Sequence, residues 1–219
     1  KEQNYKWWKN RIKKNLDFYN LIRLDHFRAF ADYWEVPADE VTAINGIWKD
    51  GPGSEFFQML QAEFGALPFV AEDLGEMDQK VYDLRNEFDL PGMKILQFAF
   101  SQNMAKSNHI PHNYRQNFIA YTGTHDNNTT VGWYRHETGH EDRQRMEAYT
   151  GKVINEDNVH LIFGAMCYAS VAKICILPMQ DVLGLDERYR FNTPGTLENN
   201  WVWRMKREHL SNSIEDQLK

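Results

Sequence analysis

Cysteine is almost absent from this chain, with two in 219 residues. Cys167 and Cys175 both fall in apolar segments, which excludes a disulfide framework or a cysteine metal centre and implies reduced core residues in a cytoplasmic protein. No apolar run reaches the roughly 18 residues that a membrane span requires, so no membrane partner is expected. The chain opens at Lys1 rather than Met, without a charged-then-apolar leader, and the expectation is a fragment or a mature form without a signal peptide. A basic excess is missing too. The net charge of -6 argues against nucleic acid as the main partner, because neutralising phosphates takes a basic face. Repeats, low-complexity tracts and linkers are not found, and "GPG" at 51–53 is too short to be a phosphate-binding glycine loop.

What is present is enough apolar material for a sizeable core, 42% of residues, and many aromatics, 14% with seven Trp. Such rings serve a core, or a groove in which flat faces stack on sugars; composition alone does not choose. The pattern alternates strand and helix. "NLIRLDHF" (20–27) reads as a strand. Ser54 is placed to cap a helix whose Phe56, Phe57, Leu60 and Phe64 share a face, with Gly65 ending it. "LPFVAEDLG" (67–75) is a short apolar run ending in acid, and Asp78 is placed to cap a helix carrying Val81, Leu84 and Phe88. "MKILQFAF" (93–100), "NFIAYTGTHDNN" (117–128) and "KICILPMQDVLG" (173–184) read as further strands. A helix follows from about Asp157, and the tail "WVWRMKREHL" (201–210) looks helical and amphipathic.

Strands alternating with helices imply parallel βαβ units, in which both sheet faces are covered and strands read as apolar runs. Asp25, Glu72, Asp126 and Asp181 all fall at or just past the C-terminal end of such a run. In a (β/α)₈ barrel those ends carry the active site; in an open doubly wound sheet they line the ligand crevice. Without a phosphate loop, the barrel is the favoured α/β class. About five strands are visible where a barrel needs eight, so the expectation is an incomplete TIM-type barrel, residues 1–219 forming the C-terminal part of one catalytic barrel.

Cleavage of a glycosidic bond with retention needs two carboxylates about 5 to 5.5 Å apart, one attacking the anomeric carbon and the other protonating the leaving oxygen. Residues on neighbouring strand ends can meet that distance. Arg23 lies two positions before Asp25, on the same face of the strand, where a guanidinium favours the ionised carboxylate of a nucleophile. Glu72 follows Phe69 and Val70, and apolar neighbours favour the protonated form of an acid catalyst. His125 and Asp126 are placed to bind sugar hydroxyls and to steady positive charge on the ring. Taken singly, each signal has a plain structural reading: a surface ion pair for Arg23 and Asp25, a capping loop for "AEDLG", an Asx-type turn for "THDNN". Their order and placement together are much harder to obtain by accident.

The stretches "RLDHFRAF", "YWEVPADEVTAINGIWKDGPG", "FVAEDLG", "LPGMKILQFAF", "YTGTHDNNTTVGWYR" and "NTPGTLENNWVWR" together resemble the 4-alpha-glucanotransferases, also called amylomaltases or disproportionating enzymes, of the α-amylase clan. The likeness runs over roughly residues 5 to 205, in the family's order. It implies a (β/α)₈ barrel and a retaining double displacement that moves α-1,4-glucan segments from a maltooligosaccharide, starch or glycogen donor to the 4-hydroxyl of an acceptor sugar, without metal or organic cofactor. By position, Asp25 matches the nucleophile on the fourth barrel strand, Glu72 the general acid/base on the fifth, and Asp126 the transition-state carboxylate on the seventh. Arg23, His125 and Asn192 match groups around the cleaved sugar. Trp34 and the loop from Ala43 to Gly53 fall where the family shapes its glucan groove. Leu24, Ala29 and Asn128 depart from the family's usual Ile, Gly and acidic residue. The resemblance also implies a missing N-terminal half of the same polypeptide as a partner, and five strands would leave open edges that invite self-association.

Three other readings compete. A retaining glucan hydrolase would use the same residues. An inactive fragment or binding module would carry them idle in an incomplete barrel. "HETGH" (136–140) also fits the zinc-protease pattern H-E-x-x-H, with His136 and His140 as ligands and Glu137 as base; that chemistry needs both histidines on one helix face, and Gly139 and the polar flanks argue for an exposed loop instead.

Overall fold

The computed structural model describes residues 4–218; residues 1–3 and 219 of the expected 1–219 span, Lys1 included, lie outside them. The chain divides into two compact units, Lys1–Met93 and Lys94–Lys219.

The first unit opens on α1 (Lys6–Leu16), a helix that sequence reading misses. Its four lysines mask the short apolar stripe through which Ile12 enters the core and Trp8 packs against Phe56 at 5.4 Å. Then come β1 (Ile22–Leu24), α2 (Arg28–Ala31), β2 (Asp32–Glu35), β3 (Ile47–Asp50), α3 (Gly53–Phe64), β4 (Phe69–Ala71) and α4 (Gln79–Glu87). β1 and β4 pair in parallel, Ile22 with Phe69, Arg23 with Val70 and Leu24 with Ala71. Between them Phe27, Phe30, Phe56 and Phe57 form an aromatic core, with Phe30 stacked on Phe56 at 5.0 Å. Gly65, at φ 76, ends α3 as expected. Ser54 does not cap it: Pro52 is the cap residue, and Ser54 Oγ instead donates to Glu87 on α4. Asp78 does cap α4, its Oδ1 accepting from Val81 N–H.

β2 and β3 form an antiparallel hairpin that the alternation of strands and helices did not announce. Its outer residues are exposed, so no buried apolar run marks it. Trp34 faces Trp48 across the ladder, edge to face at 5.4 Å. Gly51 closes the base: its N–H donates to Ala31 O, and a Cβ there would lie 2.4 Å from Phe30 O and 2.5 Å from Ala29 O.

The division between units falls within β5 (Gly92–Ile95). The second unit continues with β6 (Phe118–Tyr121), α5 (Thr130–His136), α6 (His140–Thr150), α7 (Val159–Tyr168), β7 (Ile174–Ile176), α8 (Met179–Val182) and α9 (Asn212–Leu218). β5, β6 and β7 make a three-stranded sheet in that order, and β6 pairs in parallel with β7. α7 buries Val159, Ile162, Phe163 and Cys167 against a core that includes Leu96, Phe100, Trp133 and Tyr134. The two cysteines are free; Cys167 is buried and Cys175 half-buried. The tail expected to be helical is irregular from Trp201 to Lys206, with a single 3₁₀ turn at Arg207–His209. Trp201 adopts φ 63, outside the helical region, and the Arg204 guanidinium takes up the carbonyls of Trp201 and Trp203. Among the described residues no helix is long and apolar enough to cross a membrane.

Candidate active site

Parallel pairing of β1 with β4 sets Asp25 and Glu72 side by side. Each is the first residue past a paired position, Leu24 and Ala71, and strands in register lie about 4.8 Å apart. The ladder extends across the pair: Glu72 N–H donates to Leu24 O at 3.0 Å, and Phe27 N–H to Glu72 O at 3.1 Å. His26 has φ 48, a left-handed conformation that costs a residue with a Cβ about 1 kcal/mol or more. Its backbone N–H donates to Glu72 Oε2 at 2.8 Å. Leu74 N–H donates to Oε1 at 3.0 Å. Glu72 is only 9% exposed, yet two backbone donors rather than an apolar pocket fix its carboxylate. Arg23 NH2 reaches Asp25 Oδ1 at 2.5 Å, as the i, i+2 spacing requires, while Asp25 stays open to solvent. Arg23 Nε is buried with no hydrogen-bond partner among the described residues. Arg23 and Asp25 border a cavity of about 280 Å³ that Trp8, Arg11 and Phe30 also line.

Adjacent acids can be told apart here. Asp73 points away from Glu72, as alternation demands, into a buried ion pair with Arg85, and it accepts from Met93 N–H at 2.8 Å. It ties the strand end down, while Glu72 takes its own hydrogen bonds from His26 and Leu74 on the other face. Trp34 lies on β2, 39% exposed, its indole N–H donating to Ala43 O at 2.8 Å. The hairpin therefore holds one ring of a partly exposed aromatic pair, while the Arg28 guanidinium lies 4.2 Å from the Trp48 ring.

In the second unit the polar tip after β6 gathers His125, Asp126 and Asn192. Asn192 Nδ2 donates to Asp126 Oδ1 at 2.6 Å, and His125 Nε2 lies 3.2 Å from Oδ2. Arg190, which sequence reading overlooked, donates to Asp126 O at 2.7 Å and to Asn192 O at 2.9 Å. Its place two residues before Asn192 was the available signal. Trp201 was likewise missed: its ring packs 5.3 Å from that of His125. Asn128 is buried, donating to Glu137 Oε1 at 2.9 Å; an acid at this position would face that carboxylate. Asp181, expected at or just past the end of the 173–184 strand, lies past the shorter β7 on α8, buried inside the unit.

The zinc-protease reading of "HETGH" fails on geometry. His136 is the last residue of α5 and His140 the first of α6, with residues 137–139 non-helical between them. Asp142 accepts from Gly139 N–H at 2.9 Å and starts the new helix. The two histidines share no helix face, and His136 pairs with Glu187 at 3.3 Å.

A family model described as 4-alpha-glucanotransferase matches residues 1–211. The chain belongs to the 4-alpha-glucanotransferase family. Within it, the enzyme of that name from Streptococcus pneumoniae is 44% identical over 217 residues, covering 99% of this chain and 43% of that protein. The chloroplastic/amyloplastic enzyme of Solanum tuberosum is 40% identical over 219 residues, covering all of this chain and 37% of that protein. The solved amylomaltase from Streptococcus agalactiae in complex with acarbose superposes with a TM-score of 0.93 at 38% identity, over 99% of this chain and 43% of that one. The amylomaltase from Corynebacterium glutamicum, 18% identical with a TM-score of 0.71 over 89% of this chain and 33% of that one, shares the fold. The α/β architecture is therefore that of part of the family's barrel, and the chain spans less than half the length of the curated relatives it matches.

Proposed function

We propose that residues 1–219 form the C-terminal part of a single catalytic barrel in a cytoplasmic 4-alpha-glucanotransferase whose remaining strands are supplied by an N-terminal half of the same polypeptide. The observation that carries this reading is the β1–β4 register, which sets Asp25 beside Glu72 with the His26 N–H bonded to the Glu72 carboxylate. Asp25 attacks the anomeric carbon of a bound maltooligosaccharide, starch or glycogen chain while Glu72 protonates the departing sugar. Arg23, bonded to Asp25, keeps the nucleophile aimed. Glu72, now a base, takes the proton of an acceptor 4-hydroxyl, and that oxygen displaces Asp25 with overall retention. Asp126 steadies the oxocarbenium-like charge, His125 and Asn192 contact sugar hydroxyls, and Trp34 offers a ring face for stacking. Transfer wins over hydrolysis when a bound acceptor holds its hydroxyl at high effective concentration. Side chains alone carry every step, so no cofactor is invoked.

In the complete enzyme, Asp25→Asn should lower turnover by about 10⁴-fold or more with acarbose binding, measured by calorimetry, largely kept. A near-normal rate would exclude Asp25 as nucleophile. Glu72→Gln should impair transfer from maltotriose far more than from an α-glucosyl fluoride, whose leaving group needs no proton; an equal loss on both donors would remove its acid role. Product analysis separates the two enzymatic readings: a ladder of longer oligosaccharides plus glucose means transfer, shorter products alone mean hydrolysis.

A further inference from the structure

Four carboxylates mark strand ends in the sequence, and the mechanism uses three. The fourth, Asp181, is 3% exposed. It accepts three hydrogen bonds from the second unit. Thr130 N–H donates to Oδ1 at 2.7 Å, Thr130 Oγ1 donates to Oδ2 at 2.7 Å, and Thr122 Oγ1 donates to the same oxygen. These donors are not scattered. Thr122 directly follows β6, Thr130 opens α5, and between them runs the loop that carries His125 and Asp126. Gln97 braces the same loop end, its side-chain N–H donating to Asn128 O at 3.0 Å. At its tip Thr124 N–H and Oγ1 both donate to Asn127 Oδ1 at 2.9 Å, and Arg190 and Asn192 reach Asp126 from the 190–192 segment, so Asp181 secures the loop's two ends and those residues its crown.

From this geometry we infer that Asp181 is a positioning residue for the reaction: by clamping both ends of the 122–130 loop, it holds Asp126 and His125 in place without touching substrate. The inference rests on the proposed role of Asp126. A buried carboxylate on α8 thus sets the aim of a half-exposed one on the loop. The clamp works through hydrogen bonds and not through charge. An amide of the same shape can take the Thr130 N–H on its carbonyl oxygen and donate its NH₂ to the two hydroxyls, which rotate to accept. An apolar side chain leaves all three groups unpaired.

The test uses the full-length enzyme, with maltotriose disproportionation read as separate kcat and KM values and amide hydrogen exchange read over residues 123–130. Asp181→Leu should lower kcat by about 100-fold, the loss that a small displacement of a reacting group brings, with KM little changed and exchange faster in that loop alone. Asp181→Asn should restore most of the lost turnover and the slow exchange. The inference falls if Asp181→Leu keeps both wild-type kcat and wild-type loop exchange, or if Asp181→Asn loses turnover while its loop remains protected, since charge and not aim would then be acting. If Asp181→Leu does not fold, Thr122→Val, which removes one donor, must still loosen the loop and reduce kcat; an unaltered loop and rate overturn the clamp. Asp126→Ala separates the two readings. Full activity there would refute the role of Asp126 itself, whatever the Asp181 variants do; inactivity there beside an unaffected Asp181→Leu would refute only the clamp.

Discussion

At the scale of single residues, the decisive differences lie between acids that sequence cannot rank. Glu72 and Asp73 are neighbours with opposite fates, one beside Asp25 and the other locked to Arg85. Alternation says that they face opposite ways, but which face is the site depends on the partner strand, and that is a tertiary fact. Asp181 looked like a fourth strand-end acid and is an interior one. Burial raises its pKa above the ordinary value of 3.8, outweighing the hydrogen bonds from Thr122 and Thr130 that act to lower it. The native state then holds this proton more tightly than the unfolded chain does. The resulting stability is full below pH 3.8 and is lost as pH rises through the native value. Asp181→Asn has no charge to bury. Its urea midpoint, measured against that of the wild type, should therefore gain steadily from pH 3.8 upward until the native group is ionised. A gap that shrinks with rising pH would contradict the shift. His26→Gly should raise stability by about 1 kcal/mol in the same assay, because glycine adopts a left-handed φ without the Cβ penalty; a loss would mean that the imidazole itself holds the turn.

At the scale of elements, the parallel strands and the two long core helices could be read from apolar runs and i, i+3, i+4 stripes, because those patterns reflect burial directly. Where burial is slight, the reading fails. The β2–β3 hairpin is mostly exposed, α1 is dominated by lysines, and α6 buries only Met146. The aromatic tail failed in the opposite sense: Trp201 turns out of the helical region at φ 63 to pack on His125 and Phe191, so the spacing that suggested an amphipathic helix does not form one. Capping was half right. Asp78 has the extended backbone of an N-cap, whereas Ser54 lies past its helix start. Asp78→Ala should destabilise by about 1 kcal/mol or somewhat more, since Arg28 NH2 also loses its 2.9 Å partner. Denaturant unfolding checks this, with Asp83→Ala, on the same helix but away from the cap, as the comparison.

At the scale of the whole molecule, the five expected barrel strands are all present, in two sheets with short pairings. Among the described residues β1 pairs only with β4, and β7 ends its sheet. A longer chain carrying the upstream residues should disproportionate maltotriose at least about 100-fold faster than these 219 residues alone, because incomplete sites lose the positioning that supplies most of the rate. Equal rates would refute the proposal that catalysis needs an N-terminal half. The proposed activity was legible in the sequence only through a family resemblance carried by several stretches together, "RLDHFRAF", "FVAEDLG" and "YTGTHDNNTTVGWYR" among them, since no single motif excludes a plain loop. One feature of the first unit also bears on how much change this architecture tolerates. With no room for even a methyl group at Gly51, the hairpin's root is closed to alteration, whereas Val41 and Ile44 near its crest are almost bare. Length variation among homologues should accumulate at the crest, and an engineered peptide tag spliced between Pro37 and Thr42 would leave the ladder below it intact.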